Sequence, residues 1–178
     1  MDQIWAPWRI EYIQRPKGDG CILCQKAKED NDEESLVFYR GRGNFVILNI
    51  YPYNPGHLMV APYRHTANLL DLTEDEVWEH FDFIKRSVEL LRKVLKPAGF
   101  NVGLNLGKAA GAGIDTHLHT HIVPRWVGDN NFMPVLSDTR VVSEALVDTY
   151  KRLRAEKFSL LFCLGIRPQY LDKGSFFL

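Results

Sequence analysis

Apolar and polar positions along the chain fall into short alternating runs and two helical ones. LVFYR (36–40) and NFVILNIY (44–51) are β-rich runs joined by the turn residues GRGN, which predicts a hairpin. HLMVAPYR (57–64) is a further short strand ending at Pro62, after the breaker segment YPYNPGH. Thr73 and Glu76 form a capping-box pattern, and Val77, Phe81, Ile84, Val88, Leu91 and Leu95 follow at three- and four-residue steps up to Pro97. That spacing predicts a helix burying this apolar face on a sheet. FNVGLNLG (100–107) and THLHTHIVPRW (116–126) alternate as strands around a glycine-rich turn, GKAAGAGID, with Pro124 closing the second. The run 141–158 has helical spacing at Val142, Leu146, Thr149, Tyr150 and Leu153 and a cationic last turn. Strands in hairpin order with a helix inserted before the last pair predict an α+β domain: about five antiparallel strands with helices packed on one face.

With 178 residues, one domain of ordinary size is expected over 1–178. Trp5, Pro7, Trp8, Tyr12 and Ile13 predict a packed aromatic N-terminal arm (about 1–20), and residues 137–178 supply a C-terminal helix and an apolar tail. CILC reads as a turn and KAKEDNDEES as a solvated stretch. Twenty-two basic residues balance 22 acidic ones, so no global field favours nucleic acid or an anionic membrane surface. No stretch approaches the roughly 20 apolar residues of a membrane span and the N-terminus is unlike a signal peptide, so a cytoplasmic protein is expected. Three cysteines are too few for a disulfide scaffold; Cys21 and Cys24 suggest metal or redox use, and Cys163 in its apolar stretch reads as core.

Half of the six histidines stand at 117, 119 and 121. On a strand they share one face, roughly 6 to 7 Å apart, while Leu118, Thr120 and Ile122 share the other. Such a row can be a solvated face, a three-histidine metal site or a site of nucleophilic chemistry at phosphorus. Ligands that all point the same way from one strand converge poorly on a tetrahedral ion. A neutral imidazole attacks phosphate well when its other nitrogen is held as a donor, and small residues in the preceding turn let backbone N–H groups approach phosphate oxygens.

HLHTHIV resembles the H-φ-H-φ-H-φ-φ motif of the histidine triad (HIT) nucleotide hydrolases and transferases, with Thr120 its one non-apolar departure. LNIYPYNPGHLMVAPYRH is similar to the family's earlier strand segment, and the order of elements from about Cys21 to Arg125 fits it. WAPWRIEY and HIVPRWVGDNNFMP look most like the bacterial diadenosine tetraphosphate phosphorylase, or ATP adenylyltransferase, branch. The resemblance implies that His119 attacks the α-phosphate and forms a nucleotidyl-histidine, that His121 bonds a phosphate oxygen or leaving group, and that the His117 carbonyl fixes the His119 tautomer. It places His57 near the triad, Asn49 on the ribose hydroxyls, and Asn105 on the phosphates together with backbone donors at Gly111, Gly113 and Ile114. Lys108 and Arg125 are natural counter-charges for a polyphosphate, and neither is counted as essential. Some members bind structural zinc, here implying Cys21, Cys24, His65 and His117 as ligands; no organic cofactor is expected.

The implied reaction is phosphorolysis of diadenosine tetraphosphate to ATP and ADP, with a homodimer or higher homo-oligomer as the assembly. Many eukaryotic phosphorylases carry Gln where this chain has His121, which keeps water open beside inorganic phosphate as the acceptor. Hydrolysis of purine nucleoside phosphoramidates or dinucleoside polyphosphates is the alternative activity. A protein that only binds nucleotides, or a zinc hydrolase drawing on Asp115, are alternatives of other kinds.

Overall fold

The computed structural model describes residues 20–129 and 144–163, with side chains to 156. The aromatic arm, Val142, the Cys163 side chain and the tail from 164 lie outside the described residues. Five antiparallel strands form one sheet: β1 (Val37–Arg40), β2 (Asn44–Leu48), β3 (Leu58–Pro62), β4 (Gly99–Leu104) and β5 (Thr120–Arg125). Their spatial order is β1-β2-β3-β5-β4. Helices are α1 (Ile22–Lys28), α2 (Asp32–Ser35), α3 (Glu74–Leu95) and α4 (Leu146–Cys163).

Two differences from the sequence reading bear on the site. CILC is not a turn: Cys21 is the N-cap of α1, Cys24 lies within its first turn, and Leu23 is buried against Phe45, Ile47, Met59 and Ala61. The histidine strand is shorter than its alternation, because pairing with β3 and β4 begins only at Thr120. It also runs through Pro124, opposite Phe100. The β3 ladder ends at the Leu58–Ile122 pair, so the missing proline N–H costs no bond on that side.

The sheet has two unlike faces. On one, Val46, Leu48, Leu58, Val60 and Ile122 pack under α3 and α4 with Phe83, Leu90, Leu91, Tyr150 and Leu153. Helix α3 carries the predicted capping box, with the Glu76 N–H donating to the Thr73 hydroxyl and the Thr73 N–H to the Glu76 carboxylate. Of the predicted line, Leu91 is buried and Ile84, Val88 and Leu95 pack against the core, but the first two turns differ. His80, Phe83, Ser87, Leu90 and Leu91 face the sheet, while Val77 and Phe81 are 47% and 65% exposed.

Polar partners explain that rotation. The Asn44 amide donates to the Glu76 carbonyl and the Glu79 carboxylate, so its oxygen must accept from His80 Nδ1 (2.9 Å). His80 Nε2 is then an acceptor and takes the Thr120 hydroxyl at 2.7 Å. Thr120, which breaks the apolar pattern of the triad, therefore ties β5 to α3. Glu79 also accepts the N–H groups of Arg42, Gly43 and Asn44 at 2.7–2.8 Å, clasping the β1–β2 turn. A Cβ on Gly41 or Gly43 would strike Glu79 or Glu76, which is why GRG suits that turn.

Candidate active site and metal cluster

The second sheet face carries the chemistry. Leu118 donates its N–H to the Thr66 carbonyl at 2.6 Å, pinning the lead-in to β5 against the loop that bears His65. His117 and His119 lie in that lead-in, 1% and 4% exposed. His121 is the first site-facing residue of the ladder, paired with Met59 on one side and Gly103 on the other.

Hydrogen bonds fix the proton on each ring. His119 Nδ1–H donates to the His117 carbonyl at 2.8 Å, leaving the Nε2 lone pair as its basic atom. The Tyr53 N–H can only donate, and it meets His57 Nδ1 at 3.1 Å; the Asn49 amide reaches the same nitrogen at 3.2 Å. His57 must then carry its proton on Nε2, donated to His121 Nδ1 at 2.9 Å. By the same logic His121 presents an Nε2–H. A lone pair on His119 thus stands beside a donor on His121, with ring centroids 4.8 Å apart.

Burial keeps the His57 and His121 rings neutral. It lowers His57 to about 3, helped by His121 and His119, and His121 to about 4, helped by His119. On the other sheet face, burial lowers His80 to about 4. An unfolded histidine titrates near 6.5, so between there and about 4 the unfolded chain takes up protons that the folded one refuses. Their contribution is fully present above about 6.5 and is lost as pH falls. We expect the urea midpoint to drop from pH 6.5 to 5 with a slope of two to three protons, each worth about 1.4 kcal/mol per pH unit, and by about one proton less in His80→Gln. A slope below one proton in the unaltered protein would contradict the neutral assignment.

The phosphate-side residues are less gathered. Asn105 lies just past β4, half-buried, with its amide 3.5 Å from the Gly111 carbonyl. Gly107 and Gly111 adopt φ of 82° and 84°, the left-handed region that glycine enters without penalty. The Gly111 N–H is taken by the Lys108 carbonyl at 2.9 Å, whereas Gly113 and Ile114 donate to no backbone carbonyl among the described residues. Asn49 is held at both ends, its oxygen accepting the Tyr51 N–H at 2.9 Å.

Behind the triad, Cys21, Cys24, His65 and His117 bring their ligand atoms within 4.8 Å of one another, a group that could hold a metal ion. His117 Nε2–H donates to the Pro62 carbonyl at 2.8 Å, which turns its unprotonated Nδ1 toward the cluster. Nδ1 lies 3.2 Å from Cys21 Sγ, 3.4 Å from Cys24 Sγ and 3.3 Å from His65 Nδ1. Burial, followed by the neighbouring Cys21, pushes the Cys24 thiol up, which a bound dication would oppose.

Spacing did not reveal Tyr53 or Thr66, because each contributes a backbone group from a loop. Tyr53 also lays its ring against His57, with centroids 4.9 Å apart. Its only advance sign is adjacency to His57 in YPYNPGH.

Among known proteins, a family model described as the HIT domain matches residues 30–127. The chain is 41% identical over 164 residues to the AP-4-A phosphorylase of Mycobacterium tuberculosis H37Rv, covering 88% of this chain and 84% of that one. It is 35% identical over 95 residues to the asymmetrical bis(5'-nucleosyl)-tetraphosphatase of Schizosaccharomyces pombe, covering 53% and 52% respectively. A crystal structure of a zinc-bound histidine triad family protein from Mycobacterium smegmatis matches with a TM-score of 0.66 at 29% identity, over 81% of this chain and 97% of that one. With the family model spanning more than half of its length, and a relative of this identity along most of it, the chain belongs to the HIT domain family.

Proposed function

We propose that the chain is a nucleotidyltransferase cleaving dinucleoside polyphosphates, with phosphorolysis of diadenosine tetraphosphate to ATP and ADP the favoured reaction. The observation that carries this reading is the pairing of a lone pair on His119 Nε2 with an N–H on His121 Nε2, each set by its own hydrogen bonds. His119 Nε2 forms a bond to the α-phosphorus, and the bond from phosphorus to the bridging oxygen breaks, its electron pair leaving with ATP. The positive charge that develops on the His119 ring is spread through Nδ1–H to the His117 carbonyl. His121, being neutral, cannot surrender its Nε2 proton and acts as a hydrogen-bond donor to the departing oxygen, which as part of a polyphosphate needs no proton. An oxygen of inorganic phosphate then attacks the same phosphorus, releasing ADP and restoring His119.

His57 and Asn49 set the His121 tautomer from behind; Asn49 keeps one amide hydrogen and one lone pair for a ribose hydroxyl. Asn105 and the N–H groups of Gly113 and Ile114 are read as phosphate donors, with Gly111 supplying the turn.

Zinc is the metal we assign to the cluster. Zinc–sulfur and zinc–nitrogen bonds of about 2.3 and 2.0–2.1 Å give tetrahedral edges of about 3.3–3.8 Å, close to the spacings between these donors. Two cysteines and two histidines leave no open position, so the ion would supply structure by fixing His117. The reduced pair and nucleotide substrate suit a cytoplasmic protein, and we read 1–178 as one domain. A second copy would seat on the free edge of β4, where Val102 and Leu104 stand 47% and 38% exposed.

A second reading, hydrolysis with water as acceptor, is favoured by the resemblance to the S. pombe tetraphosphatase. Incubation with diadenosine tetraphosphate decides between them. ATP plus ADP formed only with phosphate supports phosphorolysis, AMP plus ATP without it supports hydrolysis, and no cleavage in either case overturns both. Light scattering on the same sample tests the dimer, which a monomeric mass at micromolar concentration would exclude.

A further inference from the structure

One strip of the site face has no part in the steps above. On β4, Gly99, Asn101 and Gly103 pair with Arg125, Val123 and His121 of β5, so all six residues share the face that carries the triad. Neither Gly99 nor Gly103 has positive φ. A Cβ built on either meets nothing within 4 Å among the described residues. Among the described residues, backbone conformation and packing therefore give no reason for glycine here, and glycine weakens a strand. A glycine of this kind can mark a place where a ligand or another backbone comes close.

The strip ends at a fixed cation. Arg125 Nε and one of its terminal nitrogens donate to the Asp129 carboxylate at 2.6 and 2.8 Å. The other terminal nitrogen donates to the Asn101 oxygen at 2.7 Å. Asn101 stands two residue pairs nearer His121, so the guanidinium leans back along the strip toward the triad. Asp129 is itself held by the Trp126 N–H and the Asn54 amide, and its side chain is 11% exposed. Of the five guanidinium N–H groups these bonds use three, leaving two donors on a fork whose direction is set before any ligand arrives. His121 and Arg125 are four strand residues apart, about 13 Å between backbones, with the arginine side chain shortening the gap.

We propose that this glycine strip receives the phosphates beyond the one attacked, and that Arg125 determines which phosphate-chain length is preferred. The proposal rests on His119 acting on a nucleoside polyphosphate. Departure of the leaving group past His121 carries its chain over Gly103 and Asn101 toward Arg125. A short chain stops before the guanidinium and a longer one meets both remaining donors.

The test uses the full chain with diadenosine tri-, tetra- and pentaphosphate, and with the p-nitrophenyl ester of AMP, which has no second phosphate. In Arg125→Gln, the ratio of kcat/KM for tetraphosphate to that for the ester should fall about ten-fold, and the three chain lengths should converge in kcat/KM. Gly103→Val and Gly99→Thr add β-branched side chains where the fold has room, so Tm should hold or rise while the same ratio falls. Loss of Tm in both glycine variants would show that the fold itself requires them, and a ratio within two-fold of the unaltered protein in all three variants would likewise overturn the proposal. If the unaltered protein is adenylylated by none of these substrates, the reading of His119 fails and the strip falls with it; adenylylation with unchanged ratios condemns the strip alone.

Discussion

His119→Gly should lower kcat for diadenosine tetraphosphate by at least about ten-thousand-fold while leaving Tm within a few degrees, as expected when a nucleophile is removed from a site that otherwise stays assembled. Among the described residues the ring makes one hydrogen bond, to the His117 carbonyl two residues away, so its loss leaves no distant group unsatisfied there. His57, His121 and Tyr53 keep their own bonds to one another. The decisive measurement is intact mass after a denaturing quench at alkaline pH, because the histidine N–P bond is acid-labile. The unaltered protein should gain one AMP and the variant none, whichever acceptor completes the cycle. A variant that retains a tenth of the turnover, or still gains the adduct, would remove His119 from its assigned role.

His121→Gln separates the nucleophile from the donor beside it. Glutamine offers an amide N–H in place of the imidazole N–H, so it preserves the donor that the relay from Tyr53 through His57 imposes on His121. The role assigned to His121 is donation and not proton transfer, and only a donor is lost or kept by the exchange. That is why the identity of this residue alone does not choose between phosphate and water as the acceptor.

What could be read in advance follows how local each signal is. The capping box at Thr73 and Glu76 lies within one turn, and the hairpin turn within four residues, so both were legible. The buried face of α3 was legible from Ile84 onward, where Ile84, Val88, Leu91 and Leu95 pack on the core, but not in its first two turns. Hydrophobic spacing favours Val77 and Phe81, whereas the helix is oriented by His80, whose partners Asn44 and Thr120 lie 36 and 40 residues away. A buried polar residue with distant partners looks like a surface residue in a periodicity. The triad was visible because three histidines at two-residue spacing are rare, yet the proton on each ring depends on the Pro62 and His117 carbonyls and the Tyr53 N–H, which residue types do not encode. Likewise Cys21 and Cys24 announce themselves as a pair, but their place at the start of α1, facing His117, comes from burial of Leu23 against the sheet.

Removal of the metal is the second large effect, and it should act on both stability and turnover. The purified chain is expected to hold about one equivalent of zinc, and a strong chelator, or Cys24→Ala, should lower Tm by about 10 °C or more, since a structural site of this kind contributes several kcal/mol and each kcal/mol moves a domain of this size by about 2–4 °C. His117 shows why turnover should follow. Its Nδ1 faces the two cysteine sulfurs, its Nε2–H is tied to the Pro62 carbonyl, and its own carbonyl holds His119. Loss of the ion leaves a nearly fully buried imidazole beside two thiol groups and frees the lead-in to β5, where His119 stands before the first ladder pair at Thr120. The effect should appear in kcat more than in KM, because the residues read as phosphate and ribose contacts, Asn105 and Asn49, hang on other elements. Turnover that survives complete metal removal with Tm unchanged would show that the four residues meet without an ion, and that the carbonyl behind His119 is held by the Leu118 to Thr66 bond alone.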